Sequence, residues 1–179
     1  LDVAMMGFVP GDAVFVGKAS IRKVPFFGYY FKNLHIAVDR NRVKSRAETM
    51  RRAGLALDRG SSMVLFPEGG IYTQDPPNLV PFKNGAFRLA LEKQIPIIPV
   101  TLSYNHVILA DQKELILKRT PAKMVLHQAL HPSEFDSEDS LKQRCFEVIQ
   151  EQLLQDNPIT RSEHVSSAGS SPSFQTYEN

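Results

Sequence analysis

The stretch Met63-Val64-Leu65-Phe66-Pro67-Glu68-Gly69-Gly70 constrains the fold more than any other part of the sequence. A short apolar run runs into a proline, an acidic residue and two glycines, which is typical of a buried strand in a parallel sheet. In open α/β sheets, ligands bind beyond the carboxyl ends of the strands. Glu68 would then lie at a ligand-binding edge, on backbone that Gly69 leaves free to bend. The alternative is a plain strand-to-loop turn with a solvated glutamate.

Apolar periodicity predicts further strands and helices on both sides of this stretch. Strands are expected at residues 13–16, 35–38, 63–66 and 97–102, helices at 45–60, 83–93 and 140–154, and a hairpin from 114–118 and 124–130. Ser45 begins a capping-box pattern that opens a helix, and Gly60 is placed to end that helix. Strand, helix and strand in this order predict a parallel pair with a right-handed crossover.

The length of 179 residues favours one domain. We expect an α/β domain over residues 1–157, with a mostly parallel central sheet flanked by helices. Residues 158–179 are rich in serine and polar residues without periodicity, so they are expected to be a disordered tail. No apolar run approaches the roughly 20 residues of a membrane span. The chain starts at Leu1 within an apolar segment, so it is expected to be a fragment of a longer protein.

Charge is spread unevenly along the chain. The first 60 residues hold 11 Lys/Arg against 5 Asp/Glu, a net of +6, and the others hold 10 against 14, a net of −4. A basic first third indicates an anionic partner such as phosphate, lipid headgroups or nucleic acid. Basic and aromatic residues alternate over residues 18–32, which suits either a kinked core segment or a surface at a membrane interface. Nucleic acid is disfavoured because no recognition motif accompanies the arginines.

Four segments in a fixed order resemble the blocks of the lysophosphatidic acid acyltransferase family, part of the glycerolipid acyltransferases. Residues 23–40 resemble its basic aromatic block, which leads to a strand ending in Asp-Arg. Phe66-Pro67-Glu68-Gly69 resembles the start of its Phe-Pro-Glu-Gly-Thr-Arg block, and residues 95–100 resemble its Ile/Val-Pro-Ile/Val-x-Pro-Val strand. Residues 81–86 are similar to the segment between the last two. The resemblance spans roughly residues 1–155 and implies the α/β fold of that family.

The family's first block, Asn-His-x-x-x-x-Asp, must by its order fall at the start of this chain. Leu1-Asp2-Val3 is similar to its end, with Asp2 as the catalytic aspartate and the histidine five positions earlier, outside the chain. Five helical positions are a rotation of about 500°, so the two side chains would point about 140° apart on one helix. They can meet only if the motif straddles a turn or a helix start. In the family, the histidine is the general base and the aspartate fixes its tautomer.

A second Asn-His-x-x-x-x-Asp pattern runs from Asn105 to Asp111. It makes His106 an alternative general base with Asp111 as its partner. Its position after the family's last block argues against this role, because the family has no catalytic pair there. A loop histidine beside a strand is more often structural.

The resemblance implies acceptor binding by Arg40, Glu68 and Gly69, with Lys18 as a further positive charge. An arginine suits a phosphate because its planar fork donates several hydrogen bonds, whereas Glu68 would orient an arginine or a hydroxyl. The third block departs from the family, since Gly70 and Ile71 stand where a threonine and an arginine are usual. The acceptor is therefore open between lysophosphatidate and another lysolipid, including one without phosphate.

The activity implied by the resemblance is O-acyl transfer in phospholipid biosynthesis, from acyl-CoA or acyl-carrier protein to the free hydroxyl of a lysolipid. It implies no cofactor, no metal, and a membrane surface as partner at the cytoplasmic face. Without the upstream histidine, this chain is expected to be inactive by itself. The alternative function is a non-catalytic lipid- or membrane-binding domain on the same scaffold.

Overall fold

A computed structural model of the protein describes residues 2–7, 13–18, 36–38, 43–70, 75–108 and 119–157. The strands are β1 (Ala13–Lys18), β2 (Ile36–Val38), β3 (Ser62–Val64), β4 (Val100–Leu102) and β5 (Met124–Leu126). The helices are α1 (Asp2–Met6), α2 (Val43–Asp58), α3 (Gly85–Lys93), α4 (Asn105–Ile108) and α5 (Glu138–Asp156). In these ranges, no helix has the length and apolar character needed to cross a membrane. The predicted tail at 158–179 lies outside the described residues.

A parallel sheet in the order β2-β1-β3 forms the centre of the fold. Val16 lies opposite Ile36 of β2, and Phe15 lies opposite Val64 of β3. As predicted, α2 connects two strands of one parallel sheet, β2 and β3. The two strands do not pair directly, since β1 lies between them and pairs in parallel with both. The right-handed crossover stays a prediction.

Strand β1 buries side chains on both of its faces, as successive residues in a strand point to opposite sides. Val16 packs with Ile36 and with Ala53 of α2 on one face. Phe15 packs with Met6 of α1 on the other. The sheet is therefore covered by a helix on each side, which confirms the predicted α/β class with flanking helices.

The expected return of residues 97–102 to the parallel sheet was wrong in one respect. Strand β4 covers only Val100–Leu102, and the pairing described for it is antiparallel, with β5. Pro96 and Pro99 lack an N–H group, so this part of the chain cannot form a continuous ladder. Before Pro99 the pairing continues only at Ile97, which exchanges two hydrogen bonds with Leu130 at 2.9 and 2.8 Å. The expected hairpin partner at 114–118 lies outside the described residues.

The start of α2 differs from the sequence prediction. The helix begins at Val43, so Ser45 lies inside it and cannot be its N-cap, which needs a non-helical backbone. The predicted stop is confirmed at Gly60, which has a φ of +87°. Its N–H binds the carbonyl of Leu57 at 2.9 Å, and the N–H of Ser61 binds that of Ala56 at 3.1 Å. This pair of bonds is a Schellman C-cap, and the left-handed residue in it favours glycine.

A third apolar cluster joins α3 to α5. Phe87 and Leu141 are among its most buried members, at 1% and 0% exposure. Phe82 precedes both in the sequence and stacks its ring on that of Phe87 at a centroid distance of 6.2 Å. Helix α5 begins earlier than predicted because the side chain of Ser137 accepts a hydrogen bond from the N–H of Ser140. This cluster packs α3 against α5, and α5 in turn contacts β4.

Candidate active site

The carboxyl edge of the parallel sheet brings several of the predicted site residues to one side of the fold. Lys18 is the last residue of β1 and lies opposite Val38, the last residue of β2. If the pairing of Phe15 with Val64 is continued in register, Pro67 comes level with Lys18. The segment that carries Glu68 therefore leaves the sheet at the same edge as Lys18, and Arg40 follows β2 there in the sequence. Arg40 itself lies outside the described residues.

The third block forms a tight turn beyond β3. The N–H of Gly69 binds the carbonyl of Phe66 at 3.1 Å, with Pro67 and Glu68 at the centre of the turn. Proline suits the second position of such a turn because its φ is fixed near −65°. Gly69 has a φ of +76°, in the left-handed region that favours glycine. Glu68 is half-buried in this turn.

Lys83 lies against this turn, although no sequence pattern predicted a role for it. Its backbone N–H binds the carbonyl of Pro67 at 2.7 Å. A Cβ atom placed on Gly69 would lie 3.4 Å from Cγ of Lys83 and 3.8 Å from its Cε. A side chain at position 69 would thus make van der Waals contact with the lysine stem, which lies close to the turn. Together with the backbone hydrogen bond, this proximity ties residues 81–86 to the third block.

Asp2 is the first residue of α1, and its side chain is exposed. Helix α1 is anchored by Met6, which is 7% exposed and packs with Phe15. Val3, next to Asp2, packs against the same cluster, as does Phe66 of the third block. Asp2 thus lies on the face of the sheet to which Phe66 also contributes.

Asn105 makes the direct contact to Asp2. Its Nδ2 donates a hydrogen bond to Oδ1 of Asp2 at 2.6 Å, between positions 103 residues apart. Asn105 opens α4, three residues after β4 ends. In the sequence, Asn105 stands out only as part of the second Asn-His-x-x-x-x-Asp pattern, and no local signal indicates its contact with the first block.

His106, the alternative base, is half-buried in α4, and burial lowers the pKa of its imidazole. Its predicted partner Asp111 lies outside the described residues. The catalytic role of this pair therefore stays a prediction. Within the described part of the chain, no three histidine, cysteine, aspartate or glutamate side chains cluster as ligands for a metal ion.

The chain belongs to the acyltransferase family, because the model of that family matches residues 1–103. It is 28% identical over 160 residues to the 1-acyl-sn-glycerol-3-phosphate acyltransferase of Escherichia coli, covering 86% of this chain and 62% of that protein. It is also 38% identical over 107 residues to a putative 1-acyl-sn-glycerol-3-phosphate acyltransferase of Caenorhabditis elegans, covering 58% of this chain and 37% of the relative. The chain thus spans well under half the length of some relatives.

The fold is shared with a solved structure, that of the 1-acyl-sn-glycerophosphate (LPA) acyltransferase of Thermotoga maritima. The TM-score is 0.70 at 24% identity, and the match covers 86% of this chain and 61% of that one. These comparisons confirm the family resemblance and the α/β fold predicted from the sequence.

Proposed function

We propose that this domain is part of an enzyme that transfers a fatty acyl group from an acyl thioester to the free hydroxyl of a lysolipid, with lysophosphatidate as the first acceptor to test. The observation that carries the proposal is the Phe66–Gly69 turn at the carboxyl edge of the parallel sheet, in a chain that the acyltransferase family model matches over residues 1–103. Ligand sites of open α/β sheets lie at this edge.

The proposed reaction needs a general base, because a neutral hydroxyl is a poor nucleophile. The base takes the hydroxyl proton while the oxygen attacks the thioester carbonyl carbon. The C–S bond then breaks, and the thiolate of the donor leaves and is protonated. A positioned base typically contributes about 10²–10⁴-fold. We assign this role to a histidine five positions before Asp2, with Asp2 holding the imidazole in its reactive tautomer.

The proposed headgroup site lies at the sheet edge. Lys18 ends β1, Arg40 comes two positions after β2 in the sequence, and Glu68 and Gly69 form the turn after β3. We add Lys83, whose stem would be in van der Waals contact with a side chain at position 69. Ile71 stands where the family usually has an arginine, and the ammonium of Lys83 would supply the missing positive charge. An ammonium acts as a point charge, whereas a guanidinium can bind a phosphate through two parallel hydrogen bonds. A phosphate-bearing acceptor is therefore favoured despite the altered third block.

The first experiment measures free-thiol release from palmitoyl-CoA by the full-length protein, with and without lysophosphatidate. Acceptor-dependent release that is lost on replacing the upstream histidine with alanine, and on Asp2→Asn, is the expected result. If palmitoyl-CoA fails, an acyl-carrier protein donor and a panel of other lysolipids follow. No release with any pair would overturn the enzyme and leave the non-catalytic lipid-binding domain, which vesicle binding would then test.

The headgroup assignment has its own test. Lys83→Gln should raise the KM for lysophosphatidate several-fold and leave the KM for monoacylglycerol, which lacks phosphate, unchanged. Arg88→Gln is the matched control, since Arg88 is an exposed cation in α3, five positions after Lys83, and its described ion pair is with Glu92, at 3.5 Å. An equal change for both acceptors would argue against a phosphate contact. The membrane surface and the cytoplasmic face stay predictions that vesicle binding and cell fractionation can check.

A further inference from the structure

The polar contacts of α4 point to a role for Asn105 that rests on the proposed function. We infer that Asn105 is a positioning residue, which holds the Asp2 carboxylate in the orientation needed to bind the catalytic imidazole. The hydrogen bond of 2.6 Å between Asn105 Nδ2 and Asp2 Oδ1 is the starting observation. The two residues open different helices, α1 and α4, so the contact is a tertiary one.

The orientation of the Asn105 amide is fixed by chemistry. An ionised carboxylate only accepts hydrogen bonds, so the NH₂ end of the amide must face Asp2. The carbonyl end then points away, and Oδ1 of Asn105 is buried without a hydrogen-bond partner in the structure. A buried acceptor without a partner is unfavourable and occurs in few places, often where a group has a functional task. The amide therefore keeps its hydrogen bond to Asp2, although its carbonyl oxygen is left without a partner.

The backbone before Asn105 is held firmly. Ser103 is completely buried and donates its hydroxyl hydrogen to Oδ2 of Asp156. The hydroxyl of Tyr104 donates to the backbone carbonyl of Asp156 at 3.2 Å, and Nδ2 of Asn157 donates to the carbonyl of Ser103 at 3.3 Å. Because these bonds join the segment to the end of α5, Asn105 is presented from a fixed support, as a positioned functional group requires.

Asn105 is the hydrogen-bond donor described for Asp2, whose side chain is exposed. A carboxylate on this backbone can rotate about its Cβ–Cγ bond unless one oxygen is held. With Oδ1 bound to Asn105, Oδ2 is left to accept the imidazole N–H, as in a hydrolase triad. Loss of the Asn105 donor should therefore impair the chemical step rather than substrate binding.

The test uses the full-length protein and begins with the activity of the unaltered enzyme and of Asp2→Asn. Asn105→Ala should lower kcat by about 10- to 100-fold, the scale of a small misplacement in an active site, with both KM values unchanged. Asn105→Asp keeps the shape but loses the N–H, and should show the same loss if the alanine variant folds poorly. Asn78→Ala is the matched control, because Nδ2 of Asn78 also donates to a carboxylate, Asp75, at 2.9 Å in an exposed loop.

The double variant separates positioning from general damage. If Asn105 acts through Asp2, adding Asn105→Ala to Asp2→Asn should change kcat by less than about threefold, since residues that act as a unit are not additive. Losses that multiply in the double variant, or a raised KM at unchanged kcat, would refute the positioning role while leaving the proposed function intact. An unaltered protein without acyl transfer would refute the proposed function and the inference with it, whereas a fully active Asp2→Asn would refute the role of Asp2 and this inference alone.

Discussion

The hydroxyl of Ser103 donates a hydrogen bond to Oδ2 of Asp156, at 2.5 Å and across 53 positions of the sequence. The other carboxylate oxygen of Asp156 accepts from Nζ of Lys123 at 2.7 Å and from Gln152 at 3.0 Å. The Asp156 side chain is 8% exposed, whereas that of Lys123 is 43% exposed. A carboxylate at a helix C-terminus is disfavoured by the helix dipole. These three donors therefore explain why an aspartate can end α5.

Asp156→Ala should destabilise the domain by about 1–3 kcal/mol, since it leaves the buried Ser103 hydroxyl without its partner. Urea unfolding followed by circular dichroism measures this difference. Glu147→Ala on the same helix is the control. The Glu147 side chain is 45% exposed and its ion pair with Arg144 spans 3.7 Å, so a change within about 0.5 kcal/mol is expected. Equal losses of unfolding free energy in the two variants would show that the hydrogen bonds of Asp156 add no more stability than the exposed ion pair of Glu147.

The stability that Asp156 provides should depend on pH. Burial alone would raise the pKa of the Asp156 carboxyl, but the hydrogen bonds from Lys123, Ser103 and Gln152 outweigh it, so its pKa is lowered. A group with a lowered folded-state pKa stabilises fully above its unfolded-state pKa and loses this effect as the pH falls through the folded-state value. The gap in unfolding free energy between the parent and Asp156→Asn should therefore narrow as the pH falls below the unfolded-state pKa of an aspartate, about 4, and through the lower folded-state pKa. A constant gap would contradict this account.

The local parts of the fold could be predicted from the sequence, because each has a local cause. The apolar run at Met63 and the glycine at Gly60 are such signals, and the structure places a strand and a helix end there. No such signal indicated the pairing of β4 with β5. Pro96 and Pro99 show that this segment can form few ladder hydrogen bonds, but they do not indicate which strand it pairs with. The capping pattern at Ser45 was misleading because pattern alone does not fix the backbone conformation of a cap.

The candidate site was predictable only where a block identifies its own residues. Glu68 and Gly69 were predicted from their block, and the structure places them in a turn at the sheet edge, while their role in acceptor binding stays a prediction. Asn105 and Lys83 were not predicted, because each is linked to the candidate site by a tertiary contact, one with Asp2 and one at Gly69. A single sequence holds no record of such contacts, since they depend on how distant segments pack.

The core between α3 and α5 predicts a large effect at Leu141, which is completely buried. Leu141→Ala should lower the unfolding free energy by about 2–5 kcal/mol, because the cavity it leaves adds to the lost burial. Leu154→Ala, on the same helix at a side chain that is 41% exposed, should cost less than about 1 kcal/mol. Chemical denaturation of both variants checks the contrast. Similar losses would mean that α5 does not pack through Leu141 as described.

Two glycines with positive φ allow backbone strain to be separated from a role at the site. Gly60 and Gly69 have φ values of +87° and +76°, so alanine at either should cost about 1–2 kcal/mol. A Cβ on Gly60 meets nothing within 4 Å, whereas one on Gly69 meets the Lys83 stem. Only Gly69→Ala should therefore reduce acyl transfer in the full-length protein, measured at a temperature where both variants are folded. An equal loss of activity would trace the effect to strain alone.

Cys145 should be inert in the folded protein, although it is the one cysteine of this chain. Its side chain is packed between α3 and α5, and burial raises the pKa of the thiol to about 11. Because the thiolate is the reactive form, and only about one thiol in a thousand would be ionised at pH 8, labelling by Ellman's reagent should be at least about 100-fold slower in the native chain than in guanidinium. Cys145→Ala supplies the blank in both solvents. Rapid native labelling would show that the α3–α5 core opens readily, whereas slow labelling would mean that the thiol released from an acyl-CoA donor can be measured without interference from this residue.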